Sequence, residues 1–400
     1  MTSSSATTTT GPLDGIKVLD FSVMISGPLA AMMLADQGAE VIKIESPGFG
    51  DIMRLLGTQK GGMTGIFANN NRGKKSVVLD LKQQQAIDIV HQLVDDADVV
   101  IQNFRPGAMA RLGLGPDDLR AINPDLIYLS ISGYGQDGPN SDRRVYDHVI
   151  QAASGLASVQ TDPETGEPSM FRTLLCDKAT AYTAAQSVTA ALFARATGKA
   201  AGQHIELAMI DTAIAFMWPD SAMDAALLDD DVVRQPTLAS NYSVTRLADG
   251  FAAAGAVTDS EFVGLCRAYG RPDIADDERF KDTPSRMANI GAMLELMRDA
   301  AASTSVQQFE DGIVEHDVPG STIKSLHELP EDPQVRNNSI FVERDHPQAG
   351  RIREPRPAAR LSATPQRVGD PAPAHGAHSD EVVAALGHDP QELRDAGVIA

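Results

Sequence analysis

Through the first half of the chain, short apolar runs alternate with longer stretches whose apolar residues recur at helical spacing. Gly15-Ile16-Lys17-Val18-Leu19-Asp20-Phe21 reads as a strand entering a core. Pro28 then opens a helix over 29–37, with Ser26 as its cap and Gly38 as its stop. A second strand over 41–44 completes a βαβ unit, which implies parallel strands. The pattern recurs. Strands are predicted over 77–81, 99–102 and 126–132, and helices over 83–94, 116–122 and 179–195. Ile87, Val90 and Val94 share one face of the second helix, and Gly198 ends the last, alanine-rich one. The fold class is therefore α/β, a doubly wound parallel sheet in a large Rossmann-like domain over 12–219.

Past Pro219 the pattern changes. Residues 220–236 are acidic and lack strand alternation, as a linker would. A strand over 250–257 and helices over 259–269, 284–301 and 306–315 predict a smaller α+β domain within 237–330. Residues 355–373 are rich in Pro, Ala and Arg, and short helices over 379–386 and 391–396 follow. Residues 1–11 are rich in Ser, Thr and Ala, without the cationic start or apolar core of a signal peptide, and are expected to be a disordered tail.

Composition narrows the function. A chain of 400 residues exceeds what one core comfortably fills, so two domains are expected. A net charge of −20 argues against nucleic acid or an anionic membrane as partner. No apolar run is long enough to span a bilayer. Cys176 and Cys266 are the only cysteines, too few for a disulfide framework, and no CxxC pair is present. A reducing, cytoplasmic setting is expected. Against this acidic background, Arg72, Lys74, Lys75 and Lys82 fall within one short segment. Taken alone, such a cluster fits a solvated turn beside a strand. In this chain it also implies a site for an anion, such as the phosphates of a nucleotide-like ligand.

The turn after the first strand, Ser22-Val23-Met24-Ile25-Ser26-Gly27-Pro28, offers one glycine, where a dinucleotide site needs several. A nicotinamide oxidoreductase is therefore disfavoured. No GxSxG elbow or Walker loop occurs, and no histidine spacing suits a metal. Asp177 is the candidate nucleophile. It follows Leu174-Leu175-Cys176 at the start of the alanine-rich helix, where the helix dipole favours an ionised carboxylate. Such a group can attack a thioester and carry the acyl group as an anhydride. The plain alternative is an N-cap aspartate.

Several segments together resemble the family III CoA-transferases, the group that includes formyl-CoA transferase, carnitine CoA-transferase and α-methylacyl-CoA racemase. The resemblance is carried by residues 12–21 with Gly27-Pro28, then Gly38-Ala39-Glu40-Val41-Ile42-Lys43-Ile44-Glu45, then residues 72–82. Asn103-Phe104-Arg105-Pro106-Gly107 with Arg111-Leu112-Gly113, Ser132-Gly133-Tyr134-Gly135 and Gly202-Gln203 continue it, and it extends to Leu386-Gly387-His388. It implies that Asp177 is catalytic. Contacts to CoA would come from Val23, Met24, Ile25, Ser26, Leu79, Lys82, Asn103, Phe104, Arg111, Tyr134 and Tyr146. Lys82 and Arg111 would meet phosphates, with Arg72 and Lys75 at the entrance. It further implies an interlocked homodimer whose large domain is completed by 331–400. Coenzyme A and its acyl thioester would be substrates, a carboxylic acid the other partner, with no permanently bound cofactor.

Two departures from the family pattern shape the expected activity. Its racemases place a histidine directly before the Asp of a His-Asp pair, where this chain has Tyr146 before Asp147, with His148 two positions along. A racemase needs two bases, so CoA transfer is preferred. Epimerisation of 2-methylacyl-CoA through His148 and Asp177, or CoA binding without catalysis, are the alternatives. Its oxalate enzymes carry glutamine and tryptophan where this chain has Ile25 and Leu56, and an apolar pair suits a bulkier, less charged acyl group. Ser46 stands where the family places an arginine, so the adenine-side phosphate would be held differently.

Overall fold

The computed structural model describes residues 11–237, 239 and 242–400, and the expected N-terminal tail lies outside them but for Gly11. Six parallel strands form the main sheet: β1 (Lys17–Asp20), β2 (Glu40–Glu45), β3 (Lys74–Val78), β4 (Val99–Gln102), β5 (Ile127–Ser132) and β6 (His204–Ala208). Their spatial order is β3-β2-β1-β4-β5-β6, the doubly wound arrangement.

Successive strand side chains point to opposite faces, and because both sheet faces are covered they feed two cores. Val18, Val99, Ile101, Ile127 and Leu129 point to one face. Helices α1 (Ser26–Asp36), α3 (Asp147–Ala153), α4 (Leu175–Ala196) and α5 (Met209–Ser221) pack there, and α2 (Gln84–Asp95) lies on the other side. Leu19, Val77, Val100 and Tyr128 point to that second face. It is completed by Val382, Val383 and Leu393 from the C-terminal helices Ser379–Ala385 and Pro390–Asp395. Ala30 and Ala31 of α1 and Ala181, Ala184 and Ala185 of α4 are buried, so small side chains let these two helices approach closely.

Two expectations for this region are corrected. The third strand begins at Lys74, three residues earlier than its apolar run, because its polar residues are buried too. Lys74 and Ser76 face a charged layer, and Ser76 Oγ donates to Glu45 Oε1 at 2.6 Å. Apolar periodicity does not register a strand that buries polar groups. The helix expected over 179–195 begins four residues earlier, at Leu175.

The chain divides into two compact units, the described residues up to Ala226 with Ser339–Ala400, and Leu227–Asn338. In the first unit the return segment carries a hairpin, Phe341–His346 with Gly350–Pro355, that periodicity did not reveal. The second unit has a three-stranded antiparallel sheet (Thr245–Arg246, Phe251–Ala254, Gly320–Thr322) over its own core of Phe262, Leu265, Phe280 and Phe309. The helix expected over 284–301 is two, Thr283–Ala288 and Ile290–Ala302. They part at Asn289, whose side-chain amide donates back to the Ser285 carbonyl at 2.9 Å.

Candidate active site

Strand order reverses between β1 and β4, so the crevice beyond their carboxyl ends is where a doubly wound sheet binds ligands. The two loops are clasped there. Val23 N–H donates to Asn103 Oδ1 at 2.9 Å, and Asn103 Nδ2 donates to the Val23 carbonyl at 2.7 Å. Met24 adopts a left-handed backbone (φ 70°), unusual for a residue with a long side chain. Its N–H donates to Asp51 Oδ1 at 3.1 Å, and Lys43 Nζ lies 3.1 Å from Asp51 Oδ2 while donating to the Ser22 carbonyl at 2.7 Å. A buried ion pair thus fixes the turn. Gly27 is required next, since a Cβ there would stand 2.3 Å from Ser22 Cβ.

This turn delivers Ser26 to Asp177. Ser26 is the first residue of α1, not its cap, and its Oγ donates to Asp177 Oδ1. Asp177 in turn is not the N-cap of α4 but sits in its first turn, after Leu174 at the cap position. The capping role belongs to Asp147 of α3. Its Oδ2 accepts the Asp177 N–H at 3.0 Å, and its Oδ1 accepts Gln151 Nε2 at 2.6 Å. The helix dipole does not act alone on Asp177. Burial pushes its carboxyl up to about 6; the Ser26 hydrogen bond opposes this and the Asp147 charge reinforces it. At neutral pH the carboxylate is still mostly ionised, and more basic than an ordinary aspartate. The neighbouring Cys176 thiol is pushed to about 12 by burial and the two carboxylates, so it stays protonated and does not compete as a nucleophile.

Asp177 lies where two cavities meet, with Met24 and Tyr146 also common to both. The first, about 440 Å³, is apolar, walled by Ile25, Met53, Leu56, Ile66 and Leu174. The second, about 340 Å³, is polar and carries Arg105, Arg143 and Arg144. Arg105 and Arg144 are exposed and make no ion pair or side-chain hydrogen bond among the described residues.

Of the residues picked from sequence, Val23, Met24, Ile25, Ser26, Asn103, Phe104 and Tyr146 line one cavity or the other with Asp177. His148 faces the first cavity and stacks on Tyr146, with ring centroids 6.2 Å apart. The cationic segment lies elsewhere. Arg72 is buried in a bidentate pair with Asp36 (3.0 and 2.6 Å), and Lys74 Nζ is enclosed by Asp20, Asn71 and the Pro28 carbonyl, each at 2.8 Å. Lys75 pairs at the sheet edge with Glu40 and Glu381, both at 2.9 Å. Leu79 is packed into the second core. Lys82 and Arg111 are exposed and line neither cavity, and Tyr134 sits half-buried beneath the Arg143 guanidinium. Sequence reading missed Arg105, Arg143, Arg144 and the capping role of Asp147. Arg105 lay within a quoted motif, and the Arg143-Arg144 pair just precedes Tyr146, but neither has a pattern that sets it apart from surface charge.

The sequence profile described as CoA-transferase family III matches residues 13–379. The chain belongs to this family. A succinate–glutarate CoA-transferase from Agrobacterium fabrum is 33% identical over 386 residues, covering 94% of this chain and 96% of the relative. A human succinyl-CoA:glutarate CoA-transferase is 31% identical, covering 97% and 90%. A probable fatty acyl-CoA transferase from Mycobacterium tuberculosis is 34% identical, covering 92% and 96%. Among solved structures, a CAIB/BAIF family protein from Brucella suis superposes with a TM-score of 0.83 at 29% identity, covering 94% of this chain and all of that one. This family III member is an enzyme that transfers CoA between an acyl thioester and a carboxylate. No helix among its described residues is long and apolar enough to cross a membrane.

Proposed function

We propose that this CoA-transferase works by covalent catalysis at Asp177, with the acyl group in the apolar cavity and the CoA phosphates at the arginine-lined one. The observation that carries this reading is the position of one desolvated, hydrogen-bonded carboxylate where the two cavities join. The Asp177 carboxylate attacks the thioester carbonyl of the donor, forming a mixed anhydride and releasing CoA as thiolate. The thiolate attacks the aspartyl carbonyl, giving an aspartyl-CoA thioester and the free donor acid. An acceptor carboxylate attacks that thioester, re-forming an anhydride and the thiolate, which then takes the new acyl group and restores Asp177. Burial assists because it removes water that would hydrolyse either anhydride and raises the basicity of the nucleophile. The acids in the names of the relatives, succinate and glutarate, support a carboxylic acid as acceptor.

Arg105 and Arg144, without an ion-pair or side-chain hydrogen-bond partner among the described residues, supply the fork geometry that phosphate and pyrophosphate accept. Asn103, Phe104 and Tyr146 border the path between the phosphates and the reacting sulfur. Lys82 and Arg111 remain available for the more distant 3′-phosphate. A homodimer is part of the proposal, supported by the exposure of Tyr182, Phe193, Phe216 and Trp218 on α4 and α5. Light scattering of the purified chain at twice the monomer mass is the expected result. A reducing, cytoplasmic setting agrees with two cysteines that are both free and buried.

Asp177→Asn is expected to abolish exchange of labelled carboxylic acid into CoA thioesters while leaving the circular dichroism spectrum unchanged. Hydroxylamine trapping during turnover, followed by mass spectrometry, should modify Asp177 alone. Full exchange by the Asn variant would remove this residue from the chemistry.

A further inference from the structure

Asp51 ties together two segments of the first cavity's wall. It is fully buried, and so is Lys43 beside it. One carboxylate oxygen, Oδ1, accepts two backbone N–H groups, from Met24 at 3.1 Å and from Met53 at 3.0 Å. Those residues lie on separate segments, and both line the first cavity. The other oxygen, Oδ2, faces Lys43 Nζ at 3.1 Å, and the Asp51 N–H donates to Glu45 Oε2, also at 3.1 Å. Arg54 holds Glu45 in turn, at 2.8 and 2.7 Å. Asp51 is thus pinned to β2, which carries both Lys43 and Glu45. Capping the single 3₁₀ turn Ile52–Arg54 accounts for the Met53 contact alone. The Met24 contact reaches 27 positions back, to a residue whose left-handed backbone is costly for a long side chain. Two residues beyond Met24, the Ser26 hydroxyl meets Asp177.

We infer that Asp51 is a positioning residue for the transfer reaction: by accepting the Met24 N–H it holds the turn that aims the Ser26 hydroxyl at Asp177. This rests on Asp177 being the nucleophile of the proposed reaction. Asp51 itself lines neither cavity, so it acts on the reacting carboxylate through the 24–26 turn. The titratable and charged groups around Asp177 are Asp147 on α3, Cys176 on α4, Tyr146 and His148 at the first cavity, and Arg105, Arg143 and Arg144 at the second. None of them is a hydrogen-bond or ion-pair partner of Asp51, whose partners are Met24, Met53, Lys43 and Glu45. Loss of the Asp51 charge on its own would make Asp177 more acidic, whereas loss of the Ser26 hydrogen bond makes it less so. The direction of a shift therefore separates the two causes.

The test is a pH profile. Asp51→Ala removes the acceptor and should move the acid limb of kcat/KM to higher pH, with a several-fold loss near pH 6 and little at about pH 8. Asp51→Asn keeps an oxygen for the two N–H groups, so its limb should stay at or slightly below the wild-type position, although both variants lose the Lys43 ion pair. Ser26→Ala combined with Asp51→Ala should shift the limb by less than the sum of the single shifts, because both act on one hydrogen bond. Should Asp51→Ala fail to fold, Met24→Val asks the same question from the other side of the contact. A β-branched residue is poorly tolerated at φ 70°, so its limb should also move upward. An unmoved limb in Asp51→Ala or Met24→Val, or additive shifts in the double variant, would overturn the inference. Infrared difference spectra against Asp177→Asn follow the Asp177 carboxyl without turnover and should give the same order of variants. Retained exchange in Asp177→Asn would instead sink the transferase chemistry at that residue, and the spectra would still decide whether Asp51 governs its carboxyl.

Discussion

Arg72, Lys74 and Lys75 sit close together in sequence, whereas Arg105, Arg143 and Arg144 come from two separate loops. In the folded chain their roles run opposite to that impression. The sequence cluster is consumed internally. Arg72 is locked to Asp36, Lys74 is enclosed beneath the turn before α1, and Lys75 ties β3 to Glu40 and to Glu381 near the far end of the chain. Burial pulls the Lys74 ammonium down to about 8, and the nearby Lys43 charge adds to this against the Asp20 carboxylate. The scattered arginines gather at the polar cavity beside Asp177, and Arg105 and Arg144 have no described partner there. Charge density along a chain therefore says little about charge available to a ligand. What matters is whether the fold supplies a carboxylate for each cation.

The sharpest way to break this comparison is Lys74→Met, which leaves Asp20 buried without its nearest cation. Denaturant unfolding should show a loss of about 3–5 kcal/mol, with KM for acyl-CoA unchanged in the folded fraction. A stable variant with a raised KM would place Lys74 among the ligand-binding cations instead. The Arg105→Ala/Arg144→Ala pair should behave conversely. Steady-state kinetics should show KM for acyl-CoA raised by about tenfold to a hundredfold and a weaker salt dependence. The unfolding midpoint should move by no more than about 0.5 kcal/mol equivalent.

Ser26→Ala probes what lies between the two groups. The hydroxyl donates to the ionised form of Asp177, so its removal raises the carboxyl further above 6. Activity depends on the carboxylate and is lost as pH falls through that value. The acid limb of kcat/KM should therefore shift to higher pH in the variant, costing several-fold in rate near pH 6 and little at pH 8. An unmoved limb would mean that another group sets it. The smallest effect is expected from Lys75→Ala, because its two partners are solvent-exposed and the pairs are screened. Thermal unfolding should change by less than about 1 kcal/mol, and KM not at all.

The sheet was readable in advance where its strands bury apolar residues. β1, β2, β4 and β5 fall within a residue or two of the apolar runs, since side-chain alternation is a local property. β3 slipped because Lys74 and Ser76 are buried polar residues whose partners, Asp20 and Glu45, lie far off in sequence. The candidate nucleophile was legible from its place at a helix start and from the family resemblance. Its real surroundings were not. Ser26 read as a helix cap because serine commonly caps, yet the left-handed turn at Met24 redirects its hydroxyl to Asp177.

From sequence alone came the α/β alternation, the change of texture beyond Pro219 and membership of a CoA-transferring family, all set by local periodicity and ordered motifs. Tertiary structure alone decided which cations stay free, which aspartate caps α4 and how basic Asp177 becomes. These depend on desolvation and on partners distant in sequence, such as Lys75 and Glu381, 306 positions apart, and only packing brings such groups within reach of one another.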